Sequence, residues 1–139
     1  MSFSASIALA VALVTSSNPS AAVTLNPMPQ AQTVQQYVEN YFADEPIMIK
    51  IAECESHFQQ LSSDGSIYRG KIDNEDIGVM QINEHYQGSI AQKLNIDIYS
   101  LQGNLTYARY LYEKQGTQPW SSSKPCWGKT AQILADAAK

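Results

Sequence analysis

The stretch from Ile47 to Phe58 (IMIKIAECESHF) constrains the fold more than any other part of the chain. Read as a helix turning about 100° per residue, it gathers Ile47, Met48, Ile51, Ala52, Cys54 and Phe58 into one arc of about 160°. Lys50 and Glu53 fall outside that arc, whereas Glu55 falls inside it, between Ile51 and Met48. A carboxyl group held against apolar neighbours resists ionising, so its pKa rises and it can donate a proton near neutral pH. The alternative is a helix-end glutamate bent out to solvent, which an isolated helix would favour. The residues that follow shift the balance towards the buried reading.

Other helices can be read around this one. Val34, Tyr37, Val38, Tyr41 and Phe42 keep the i, i+3, i+4, i+7 spacing of an amphipathic helix beginning at Thr33. Asp44-Glu45-Pro46 stops that helix and starts the next, with proline at a first helical position. Residues 61–76 are turn-rich: Asp64-Gly65 and Asp73-Asn74 read as turns, Ile67-Tyr68 and Lys71-Ile72 as short extended pieces of a small β wing. Ser89 is placed to cap a short helix through Leu94. Ser100 is placed to cap a longer one in which Leu101, Leu105, Ala108, Leu111 and Tyr112 share a face and Gly116 terminates. Residues 119–129 (PWSSSKPCWGK) read as a loop with two tryptophans, and 130–139 as a plain tail. The fold class expected is α+β, mainly helical with a small β-hairpin wing.

Composition narrows the function classes. At 139 residues the chain suits one domain, and 44 % apolar with 16 % charged residues is an ordinary globular balance. Nine Lys/Arg against thirteen Asp/Glu leave a net charge of −4, which weighs against a nucleic-acid binder reliant on phosphate contacts. His57 and His85 have no spacing for a metal site, and no nucleophile elbow supports a triad of Ser56, His85 and Asp97. No cofactor is expected.

Residues 1–22 read as a secretory signal: Ile7 to Val14 is an apolar run too short to span a bilayer, and Ser20-Ala21-Ala22 is a small-residue cleavage site. The segment before the apolar run lacks the usual Lys or Arg. Residues 23–32 read as a leader and 33–129 as the folded domain. The expected location is secreted, periplasmic or extracellular, with no stable membrane span. In an oxidising compartment Cys54 and Cys126 become a candidate disulfide, worth about 2–4 kcal/mol; the alternative is two buried thiols.

Three fragments carry the chemical signal: Glu55-Ser56-His57-Phe58, Asp76-Ile77-Gly78-Val79-Met80-Gln81-Ile82-Asn83, and Asn104 within NLTYARYL. Together, from about Val34 to Gly128, they resemble the lysozyme-like superfamily of lysozymes and lytic transglycosylases (SLT domains). The resemblance implies that Glu55 is the general acid protonating a glycosidic oxygen of a β-1,4-linked amino sugar, a chemistry for which lysozyme is the standard worked case. Asp76 stands two positions before the motif glycine, where hen-type lysozymes carry an aspartate and transglycosylases generally do not. It reads either as an ionised partner for an oxocarbenium-like centre or as part of an acidic, solvated turn with Asp73 and Glu75.

In the family, residues matching Gln81 and Asn83 face the sugar groove, and Asn104 is a marker near the catalytic glutamate. On its helix Asn104 lies with Ala108 and Leu111, which also fits a buried structural hydrogen bond. Ser56 either orients groups in the site or bonds a carbonyl at the helix end. Met80 sits beside the groove residues, although Val79 and Met80 are of types more often found in a core. Tyr107 and Trp120 are candidates to stack on sugar faces, with Trp120 also a candidate wall around Glu55; Trp127 reads as core beside Cys126. Transglycosylases of this type usually continue from the asparagine helix into further helices bearing a tyrosine near the site. Pro119-Trp120 and Cys126-Trp127 follow here instead. The expected function is a secreted, monomeric muramidase cleaving the MurNAc–GlcNAc bond of peptidoglycan, as transglycosylase or hydrolase. The rival is a non-catalytic glycan-binding or inhibitory module that keeps the groove.

Overall fold

The computed structural model describes residues 31–139. The expected signal at 1–22, and all of the leader but residues 31 and 32, lie outside the described residues. Helix α1 (Val34–Tyr41) starts at Thr33, whose hydroxyl accepts from Gln36 N–H while the Gln36 side chain accepts from Thr33 N–H, a reciprocal cap. Helix α2 (Pro46–Ser56) opens on its proline. It ends two residues before Phe58, because His57 and Phe58 both adopt left-handed backbone conformations, with φ of 53° and 60°.

The β wing is smaller than expected and placed later. Strands β1 (Asp76–Ile77) and β2 (Ile82–Asn83) pair antiparallel, with Asp76 opposite Asn83 and Ile77 opposite Ile82. Single bridges join Leu61 to Ile67 and Arg69 to Ile77, whereas Ile72 stands fully in solvent rather than in a strand.

Helix α3 (Glu84–Lys93) starts at Asn83 instead of Ser89. The Asn83 side chain accepts from Tyr86 N–H, and Glu84 complements the positive end of the helix dipole. Helix α4 (Leu101–Gln115) is capped by Ser100 and stops at Gly116, as its spacing implies. A 3-10 helix (Gln118–Ser123) then leads into helix α5 (Lys124–Ala137). The segment read as loop and tail is therefore largely helical. Pro125 sits in the first turn of α5, where its missing N–H costs nothing, and Trp127, Ala131 and Leu134 pack against the rest of the protein.

The core is continuous. Val38 and Phe42 of α1, Met48, Ile51 and Ala52 of α2, the hairpin residues Ile77, Val79, Met80 and Ile82, and Leu105, Tyr107 and Ala108 of α4 are all essentially inaccessible to water. Helix α5 packs along α2, and the Cys54–Cys126 disulfide joins the two. No helix among the described residues is long and apolar enough to cross a membrane.

Candidate active site

The site is built on the four-residue turn between β1 and β2, whose backbone polar groups are held by side chains from other elements. Ser56, at the end of α2, donates to Val79 C=O at 2.8 Å, and Gln60 accepts from Val79 N–H at 2.9 Å. Asn104 of α4 accepts from Met80 N–H at 2.9 Å and donates to Ile77 C=O and Ile98 C=O at 3.1 and 3.0 Å. The Trp120 indole N–H donates to Met80 C=O at 2.9 Å. Buried amide groups without partners are costly, and these bonds leave no unpartnered buried side-chain N or O atom among the described residues. Gly78, at φ +70°, fits because a Cβ there would lie 2.6 Å from Asn104 Nδ2 and 2.8 Å from Gln60 Oε1.

The hairpin that this turn closes forms one wall of a cleft of about 260 Å³. Glu55 from α2, Asp76 from β1, and Gln81 and Asn83 from the hairpin line it. Tyr86 and Gln87 of α3, Leu111 and Gln115 of α4, and Pro119, Trp120 and Ser122 complete it. A larger hollow of about 460 Å³ beside the end of α3 has, among the described residues, Asp97 as the only charged residue in its wall, so volume alone would misplace the chemistry.

Glu55 and Asp76 thus meet at one cleft from elements distant in sequence. Glu55 is half-buried: desolvation pushes its pKa up, the negative charge of Asp76 adds to the rise, and a hydrogen bond from Ser123 opposes it. Asp76 is also raised, first by desolvation and further by Asp73, against the hydrogen bond from Asn83. Among the described residues no Lys, Arg or His lines the cleft, so none there pulls either carboxyl's pKa down.

The other residues singled out in the sequence divide into two groups. Gln81, Asn83 and Trp120 reach the cleft. The Asn83 amide is already engaged, its Nδ2 donating to Asp76 and Asp73 and its Oδ1 capping α3, so it holds Asp76 in place. Gln81 donates to Gly78 C=O and keeps Oε1 for other partners. Ser56, Met80, Asn104 and Tyr107 are not in the cleft wall, and each is at most 1 % exposed. They pack behind the wall, out of reach of solvent. Tyr107 cannot stack on a sugar; its hydroxyl donates to Gln87 at 2.8 Å and steadies that cleft residue.

Sequence reasoning missed Tyr86, Gln87, Gln115, Ser122 and Ser123. Tyr86 stands 69 % exposed on the first turn of α3, and a helix start placed at Asn83 would have found it. Ser123 donates to Glu55 Oε1 at 2.5 Å from the end of the 3-10 helix, where the serine- and proline-rich sequence suggests a loop. No group of three or more His, Cys, Asp or Glu suited to a metal occurs among the described residues. No protein-family model matches the chain, and no curated protein or solved structure matches it significantly.

Proposed function

We propose that the protein is a glycosidase of β-1,4-linked amino-sugar polymers, acting on peptidoglycan, with Glu55 as general acid. The observation that carries the reading is Glu55 itself: a half-buried carboxyl on a cleft wall, its pKa raised by desolvation, sharing the cleft with a second carboxyl. The neutral amides of Gln81, Gln87 and Gln115 suit the hydroxyl and N-acetyl groups of such a sugar, and Trp120 and Tyr86 supply apolar surface.

In the reaction the Glu55 proton moves to the bridging oxygen. The bond from the anomeric carbon to that oxygen breaks, its electron pair leaving with the oxygen as an alcohol. The anomeric centre becomes electron-poor, and the Asp76 carboxylate stabilises it across the cleft. The Glu55 carboxylate then takes a proton from whichever nucleophile completes the reaction. Water leaves a reducing end, whereas the sugar's own 6-hydroxyl closes a 1,6-anhydro ring. Mass spectrometry of digested peptidoglycan separates these outcomes. Cleavage at MurNAc–GlcNAc bonds supports the reading, and binding of chitooligosaccharide without any cleavage overturns it in favour of a glycan-binding module.

A further inference from the structure

Glu55 is flanked in the chain by Cys54, and Trp127 by Cys126, so the disulfide brings the start of α5 alongside the carboxyl. From that position Ser123 Oγ reaches Glu55 Oε1 at 2.5 Å. Its second acceptor, Trp120 C=O, is farther away at 3.0 Å. The Trp127 indole N–H donates both to Ser123 Oγ and to Trp120 C=O, each at 3.0 Å. A hydroxyl has one proton to give. With an indole donor at its lone pair and a competing donor at the Trp120 carbonyl, that proton is directed to the nearer acceptor, the glutamate. Glu55 Oε2 has no hydrogen-bond partner among the described residues, yet it is not sealed from solvent, since no unpartnered buried side-chain oxygen occurs there.

We propose that Ser123 is a positioning residue that occupies Oε1 of Glu55 as an acceptor, so that the transferable proton resides on Oε2, the oxygen free to face the cleft. Trp127 sets the direction of the Ser123 hydroxyl, and the disulfide holds both at the carboxyl. The inference rests on Glu55 acting as the acid, and extends that reading by naming which of its oxygens delivers the proton and what keeps it there.

A hydroxyl donated to Glu55 favours the ionised form, and so moderates the rise caused by burial. Among the described residues, the titratable groups sharing the cleft with Glu55 are Asp76 from β1 and Tyr86 from α3; the 3-10 helix and the start of α5 present the neutral Trp120, Ser123 and Trp127. On α2 itself Glu53 points outward and pairs with Lys50. Removing the hydroxyl therefore leaves desolvation and Asp76 unopposed.

The test is a carbon-13 NMR titration of the Glu55 carboxyl in the disulfide-bonded protein, assigned through Glu55→Gln, for the wild type, Ser123→Ala and Ser123→Thr. Ser123→Ala is expected to titrate at higher pH, and Ser123→Thr, which keeps the hydroxyl, to return to the wild-type midpoint. With peptidoglycan, Ser123→Ala is expected to lose about tenfold in kcat with KM little changed, as for an interaction used in the transition state. Should Ser123→Ala fail to fold, Trp127→Phe removes the indole donor while keeping an aromatic ring, and is expected to shift the midpoint in the same direction. A wild-type midpoint in Ser123→Ala overturns the inference. Because the titration needs no substrate, a Ser123→Ala variant that shifts as expected, in a protein whose wild type cleaves no glycan, refutes only the glycosidase reading.

Discussion

Asn104 Oδ1 accepts from Met80 N–H at 2.9 Å, so one amide on α4 fixes the turn that carries Asp76 and Gln81 to the cleft. The same side chain donates to Ile77 C=O and Ile98 C=O and has no exposure to solvent. Asn104→Ala would strand three buried backbone groups, each costing about 1–3 kcal/mol when unsatisfied. A drop of several degrees or more in Tm is expected, with glycan cleavage lost alongside it. Asn104→Asp keeps the acceptor but sets a carboxyl against two carbonyls, and is expected to destabilise nearly as much. Denaturant unfolding of both variants measures this.

Gly78 faces that amide, and its φ of +70° lies where side chains are strained. Gly78→Ala is expected to destabilise more than a typical surface substitution, because the added Cβ meets Asn104 and Gln60 together. Calorimetric melting of the purified variant tests it; a Tm equal to wild type would contradict the close packing of the turn.

The Cys54–Cys126 bridge spans a sequence separation of 72 residues. Replacing both cysteines with serine is expected to lower stability by about 2–4 kcal/mol. It should also loosen the start of α5 from Glu55. Urea unfolding with and without reductant gives the first effect, since the wild type should approach the double variant only when reduced.

Stability should depend on pH through Glu55. Its folded-state pKa is raised above the ordinary value of 4.5, so the folded form binds the proton more tightly than the unfolded chain. The penalty for a buried charge is absent below that ordinary value. It grows as pH rises through the folded-state value and is fully felt above it. Glu55→Gln, which keeps an acceptor for Ser123, is therefore expected to melt higher than wild type at neutral pH, with the gap closing towards pH 4. A gap that widens on acidification would contradict the raised pKa.

Asp76 acts on the same proton in the opposite sense to Ser123. Its charge raises the Glu55 pKa, so Asp76→Asn is expected to move the alkaline limb of the kcat/KM profile to lower pH. On the proposed role of Asp76, a loss of about a hundredfold in kcat is also expected when its charge is removed. Unaltered kcat in this variant would leave Asp76 as part of the acidic turn and nothing more.

Much of this arrangement is legible in the chain itself. Thr33, Pro46, Ser100 and Gly116 mark helix ends through local capping chemistry that packing does not override. Gln81 and Asn83, singled out by the glycine motif, both line the cleft, but Gln81 does so from the turn at φ 50°, and Val79, read on the same face, is buried. What was not legible depended on partners far along the chain. Asn83 caps α3 while bridging two aspartates, a double use that its sequence neighbours do not reveal. Tyr107 and Met80 are buried through partners far along the chain, Gln87 of α3 for Tyr107 and Asn104 and Trp120 for the Met80 backbone, which no window of sequence reveals. Helix α5 was hidden by serines and prolines that read as a loop but lie in the 3-10 turn and the first turn of the helix. Nor does glycine mark the end of α2, where His57 and Phe58 take left-handed conformations.

The most direct measurement is the rate at which purified wild-type protein and Glu55→Gln clear a suspension of peptidoglycan at the wild type's pH optimum. Loss of a general acid predicts a fall of about 10²–10⁴-fold in the variant, with its fold intact by circular dichroism. Equal clearing by the two proteins would contradict the assignment of Glu55 as the proton donor.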